Sequence, residues 1–372
     1  MSFSTAPNFE NLPSWFKLRA AIGLLLPLSG LILLVSVFIT KLNWMVLGFP
    51  FIYYVAVPIA DLLLGRDRKN PSPELIETLE GAPYYRALLY IASALYVVSI
   101  GLTLWLIGQL YTSGSWGWAI ALTLGAALYN GSMILVAHEL GHGHNKLDRN
   151  IARWLLMMIG YGHFTIEHNA GHHTHVGSDK DPASARFGEN FYAFAWRELT
   201  GALGSAINLE IRRLKGSSFL SPKNKLLKSW AGSALLCSPF IWLFGLGLIP
   251  LICVHHLGCW LMLTKANYVE HYGLGRRQDD QGRLESVRPY HSWNSDYWLT
   301  NALAFNLQRH SDHHANASRE YQILRTSDQL PQLPAGYPGS FLLALIPPLW
   351  FLVMNPKVEA WANEYRGHIH RR

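Results

Sequence analysis

Apolar residues run through this chain in long blocks rather than at spaced positions. A bilayer core takes about 20 consecutive apolar residues to cross, and six stretches reach that length: 18–40, 43–64, 87–111, 116–137, 229–249 and 250–268. They are apolar all round, so the pattern predicts six membrane-spanning helices rather than one-faced surface helices. Two polar insertions separate them, 66–86 and 138–228; the first carries NPSPELIETLEGAPYY, which predicts a short polar helix after Pro71 and Pro73. A last apolar stretch, FLLALIPPLWFLVM (341–354), is short and interrupted by Pro347-Pro348, and reads as an interfacial or docked helix. Block 18–40 is too long for a cleavable signal peptide and lacks a small-residue cleavage site. With no repeat or low-complexity tract, residues 1–372 read as one all-α integral membrane domain.

Composition sharpens this picture. Half of the residues are hydrophobic, 15% are charged, and mean hydropathy is +0.12, which argues against a soluble helical enzyme. With the N-terminus inside, the outer connections (41–42, 112–115 and the turn near 248) carry one of the 31 Lys and Arg residues, Lys41. Basic residues accumulate in cytoplasmic loops, so the net charge of +7 is topological and no nucleic-acid partner follows from it. A basic cytoplasmic face could still attract anionic lipid or an acidic protein. Trp44, Trp105, Trp116 and Trp118 fit an aromatic belt. The three cysteines, Cys237, Cys253 and Cys259, fall inside spans; neither disulfides nor a four-thiolate iron–sulfur centre is expected. There is no GxGxxG nucleotide fingerprint.

The chemistry lies in the histidines. VAHELGHGH (136–144) contains an HExxH pattern, which puts two imidazoles at i and i+4 but does not by itself separate a zinc protease from other metal proteins. Fifteen of the 17 histidines lie between His138 and His314, and nine form four groups: HELGH (His138, His142), EHNAGHH (His168, His172, His173), NYVEHYGL (His271) and RHSDHH (His310, His313, His314). Residues three or four apart share a helical face, so His138/His142, His168/His172 and His310/His314 are expected to act as pairs. His173 and His313 sit about 100° round from a neighbour, which lets one helix reach two metals. Nine ligands exceed the four of one zinc, so two ions are expected. Imidazole suits zinc, copper, iron and nickel; two irons with five and four histidines keep open positions, and iron is favoured. Glu139, Glu167, Glu270 and Asp312 flank these histidines and could orient imidazole N–H groups, as could His291. His144, His163, His175, His255 and His256 read as ordinary polar or packing residues, and Asp61 as a capped or paired interfacial carboxylate.

HELGH, EHNAGHH and RHSDHH together resemble the histidine boxes of membrane desaturases and hydroxylases. NYVEHYGL, with Asn267, Tyr268, Glu270, His271, Tyr272 and Gly273, resembles the HYG motif of the non-haem di-iron alkane monooxygenases, as do DPASARFGE (181–189), HSWNSD (291–296), SREYQILR (318–325) and LPAGYPG (333–339). The likeness covers most of residues 50–360. It implies an alkane 1-monooxygenase: a di-iron centre held by the nine histidines, dioxygen as co-substrate, and a terminal C–H bond converted to a primary alcohol. It also implies electrons from a rubredoxin, itself reduced by an NADH-dependent rubredoxin reductase, docking on Arg and Lys residues near the C-terminal third. The expected location is a bacterial inner membrane, with the metals on the cytoplasmic side and alkane entering from lipid. Tyr53 and Tyr54 are candidate walls of the substrate tunnel that limit chain length. A xylene-type aromatic methyl hydroxylase and a desaturase are the alternatives within this class. Outside it, a zinc protease with Glu139 as base would leave seven histidines idle and lacks an LDG motif, and a metal transporter would need ligands near the bilayer midplane.

Overall fold

Each of the six apolar blocks is a helix, or a run of helix with 3-10 or π turns, long enough to cross a bilayer: Ser14–Thr40, Asn43–Leu64, Pro83–Thr112, Trp116–His142, Lys225–Phe244 and Leu246–His271. The structure, a computed structural model, describes Leu12, residues 14–365 and residues 367–371. The spans form three hairpins closed by short turns at 41–42, 113–115 and 245. The fifth span ends earlier than hydropathy suggested, because Gly245 turns the chain with a φ of 87°, a left-handed conformation that glycine adopts without steric cost. Large apolar side chains stay exposed on the outer faces, among them Leu63 at 82% and Trp242 at 84%; such surface is stable only against lipid or another apolar layer.

Several polar groups inside the bundle pair with one another, as a low-dielectric interior favours. Ser99 Oγ donates to Asn130 Oδ1 (2.8 Å), and Asn130 Nδ2 donates to Thr103 Oγ1 and to His255 Nε2, each at 3.0 Å. With Nε2 accepting, His255 carries its proton on Nδ1 and points it at His256 Nδ1 (3.2 Å), whose Nε2 faces Cys237 Sγ at 3.6 Å. This chain of contacts ties the third, fourth, fifth and sixth spans together. Cys237, Cys253 and Cys259 are free thiols.

The 138–228 insertion is not a separate body. The Lys146–Met158 helix, capped by Asn145 accepting from Asp148 N, folds back along the inner half of the fourth span. Its end is pinned to the sixth span where Trp260 Nε1 donates to the Ile159 carbonyl (2.7 Å). A 24-residue helix, Phe191–Leu214, follows, capped by Asn190. The C-terminal apolar stretch differs from expectation. It is two helices, Tyr337–Ala344 and Pro347–Glu364, bent by 116°, because Pro347-Pro348 open the second helix, where a missing N–H costs nothing, instead of interrupting one. The second helix buries Trp350, Met354, Val358 and Trp361 along one stripe. Residues Leu274–Gly275 pair antiparallel with His368–Ile369, which ties the chain end to the turn after the sixth span.

Candidate metal centre

The ends of the fourth and sixth spans, the helical segment at 164–175 and the helix His310–Ala315 come together at one place, and there the nine histidines meet. They form two groups. His138, His142, His168, His173 and His313 make one; His172, His271, His310 and His314 make the other; within each, one ring nitrogen per residue lies within 4.8 Å of all the rest. The second group is buried throughout, whereas His142 and His173 of the first are partly exposed. His271 is turned into place by the HYG segment. Gly273 has a φ of 74°, and a Cβ there would stand 2.9 Å from the Val358 side chain.

The division differs from the expected i,i+4 pairing in one place. His168 and His172 do not share a group: residues His168–His172 form a π-turn, and His168 Nε2 instead lies 3.0 Å from Nε2 of His173, five residues on. Five α-helical residues would separate them by about 140°, so the wider turn is what aligns them. His172, released to the opposite side, lies 3.2 Å from His314 Nε2. The pairs His138/His142 and His310/His314 stand as expected, and His313 splits from His314.

These residues fit a metal pair by two observations. Both ring nitrogens of His138, His271 and His313, and Nδ1 of His310 and His314, are buried without a hydrogen-bond partner, at a cost of about 1–3 kcal/mol per group that a bound cation would remove for one nitrogen of each ring it ligates. The nitrogens also stand at ligand spacing. Two imidazoles bound at right angles to an ion at about 2.1 Å lie about 3.0 Å apart, against 3.0–3.3 Å for His168/His173, His172/His314 and His142/His168. Burial, reinforced by neighbouring imidazoles, pushes His168, His310, His313 and His314 far below the ordinary histidine range, so their lone pairs are free at neutral pH. His172 is the exception: burial lowers it, but the Asp181 carboxylate outweighs that and holds it above the usual value.

Asp181 is a carboxylate in contact with His172 that the residues flanking the histidines did not reveal. Its Oδ2 lies 3.0 Å from His172 Nδ1 and accepts from Ser184 Oγ at 2.6 Å. The loop behind it is held by Arg197, which donates to the Pro182 and Ser184 carbonyls and to Glu189. Burial favours the protonated form of Glu189, but these Arg197 hydrogen bonds outweigh it and keep the carboxyl below its normal range. DPASARFGE, noted only as family-like sequence, is this loop.

Of the expected orienting groups, Glu270 touches a histidine, though not its neighbour: Oε2 lies 3.2 Å from His310 Nε2, and Oε1 accepts from the Tyr337 hydroxyl. Glu139 accepts instead from Tyr321 N (3.0 Å), Asp312 from Arg319 (2.6 Å to Oδ2) and Arg325 N (2.9 Å), and Glu167 from Ser205 Oγ (3.4 Å). Burial pushes the Glu167 carboxyl up to about 8. His291 belongs to neither group and pairs with Glu285 at 3.2 Å. Asp61 is capped as expected, by Thr300 N and Oγ1 at 3.0 and 2.6 Å.

Two small apolar cavities, of about 30 and 40 Å³, lie between the spans, and Tyr53, Leu135 and Tyr337 border both. Tyr337 thus joins the apolar space to Glu270. Tyr54 lines neither cavity; its hydroxyl accepts from the buried Lys265 Nζ at 2.8 Å.

Comparison with known proteins places these features in context. The fatty acid desaturase family matches residues 113–339. Alkane 1-monooxygenase of Pseudomonas putida is 42% identical over 314 residues, covering 84% of this chain and 78% of that protein. Alkane 1-monooxygenase 2 of Pseudomonas aeruginosa is 39% identical over 361 residues, covering 95% and 93%. The hydroxylase component of the xylene/toluene monooxygenase of Pseudomonas putida is 30% identical over 240 residues, 62% of each chain.

Proposed function

This chain belongs to the fatty acid desaturase family, among the alkane 1-monooxygenases, and on that premise we propose that it converts alkanes to primary alcohols with a di-iron centre held by its nine clustered histidines. The observation that supports the reading is the meeting of nine imidazoles in groups of five and four, five of them with buried nitrogens that lack a hydrogen-bond partner, beside apolar cavities in a membrane bundle. A bound iron pair supplies the redox chemistry that activates dioxygen, which zinc, having none, does not.

The chain's own residues do the rest. Asp181 fixes the His172 ring and its tautomer. Glu270, held by Tyr337, stands beside His310 between the histidines and the apolar space. Tyr53, Leu135, Met262 and Phe341 offer a dry wall to a hydrocarbon, which needs no polar anchor and reaches the protein through lipid. Electrons come from a separate carrier, for which rubredoxin with its NADH-dependent reductase is the candidate, and the histidine groups face the cytoplasm of a bacterial inner membrane.

The test incubates membranes holding this chain with dioxygen, rubredoxin, reductase and NADH over a panel of alkanes and xylene. A primary alcohol from an alkane, lost in His310→Ala, is expected. No oxygenated product from a preparation holding two irons per chain would sink the assignment.

A further inference from the structure

Electrons for the centre must cross a protein surface, and the two histidine groups are not equally reachable. Only the group of five has partly exposed members, His142 and His173. Two openings adjoin it. One, lined by His142 itself and bordered by Arg86, Glu139, Asp148, Arg319 and Glu320, has its charges largely matched: Arg86 pairs with Asp148 and Glu320, and Arg319 with Asp312. The other is a cleft of about 330 Å³ rimmed by Arg149, Arg153, Arg213 and Lys225.

That cleft carries a net charge of +3, its four cations set against one carboxylate, Glu210, which is buried beneath Arg213. Among the described residues Arg153 has no carboxylate partner; its guanidinium donates to Asn150 Oδ1 at 2.9 Å. The floor is an independent feature. It is made of Gly141, Asn169 and Ala170, the residues that stand between or beside His142, His168 and His172 on the two helices bearing them. Gly141 has open space where a Cβ would be, and Asn169 and Ala170 are exposed. A partner seated there meets bare helix surface one residue from the histidines.

We propose that this cleft is the docking surface for an acidic one-electron carrier protein, and that electrons enter through the five-histidine group. The inference rests on the reading that this group holds a redox-active metal. Each turnover oxidises two carrier molecules by one electron each; with two protons, these electrons reduce one atom of dioxygen to water while the other enters the substrate. The basic rim speeds encounter with an acidic partner and orients it, and the small floor residues shorten the path to the metal.

Rubredoxin is the probe, and its oxidation by the metal-loaded enzyme is followed by absorbance in stopped flow. In the double variant Arg153→Glu/Lys225→Glu, the KM for rubredoxin rises roughly ten-fold or more, and its dependence on ionic strength flattens relative to wild type. Reduction of the centre by dithionite, which needs no docking, reports whether the variant holds an intact centre. The comparison variant is Arg277→Glu/Arg283→Glu, in the exposed loop of the C-terminal third, and it retains the wild-type KM. An unchanged KM in the cleft variant, or a shift in the loop variant instead, overturns the proposal. So does an effect confined to binding of anionic phosphatidylglycerol vesicles, which would make the cleft a lipid site. Failure of the alkane reading is separate: wild-type enzyme would then oxidise rubredoxin and yield no alcohol.

Discussion

At the scale of single residues, the buried pair His172–Asp181 is the contact most open to test. Asp181→Asn keeps the side-chain shape but removes the anionic acceptor for His172 Nδ1. Metal affinity is expected to fall about 10–100-fold, read as metal retained after dialysis against graded chelator; unchanged retention would show that the carboxylate does not orient the ring. The reason this residue was illegible in sequence is geometric. A carboxylate adjacent to a helical histidine points about 100° away from it, so Glu139 and Asp312 serve Tyr321 N and Arg319 instead. The carboxylates that reach the histidines arrive from other elements: Asp181 from a loop, and Glu270, next to His271, standing 3.2 Å from His310 Nε2. Tyr53 is a candidate wall from sequence, although an aromatic in an apolar span is more often a packing residue. It borders both cavities. In Tyr53→Ala the joined space should accept longer alkanes than wild type, seen as a shift of the product profile across a chain-length panel. An unchanged profile would make Tyr53 a packing residue.

At the scale of elements, hydropathy placed all six spans within a few residues of their helices, since a bilayer-length apolar run admits few other structures. It was least reliable where backbone geometry decides. The fifth span stops at Gly245, and Pro347-Pro348 start a helix. The π-turn at His168–His172 is the most consequential case. A one-residue widening of a helix leaves no trace in hydrophobic period, yet it sends His168 and His173 to one group and His172 to the other. Inserting one alanine after Ala170, which is exposed, should rotate His172 and His173 relative to His168 by about 100°. Bound metal per chain then falls while the helical circular dichroism of the spans persists. Full metal content in the insertion variant would mean that this alignment is incidental to the centre.

At the scale of the whole molecule, the three hairpins put every short turn on one face and the histidine-bearing ends of the second hairpin and the third on the other. The two faces are unequal in charge: the turns hold Lys41, whereas Arg149, Arg153, Arg213 and Lys225 crowd the histidine face. Basic loops resist translocation and remain in the cytoplasm, so this asymmetry predicts which compartment supplies electrons and protons. The prediction can be made independent of catalysis. A cysteine replacing Ser113, in the turn after the third span, should react with a membrane-impermeant maleimide in intact spheroplasts. A cysteine replacing Arg283 should react only in inverted vesicles; both are compared with the unsubstituted chain, whose exposed Cys253 lies within a span. The reverse pattern would turn the basic cleft away from the cytoplasm and deny it any cytoplasmic carrier, so this labelling constrains the docking surface as firmly as it fixes the orientation.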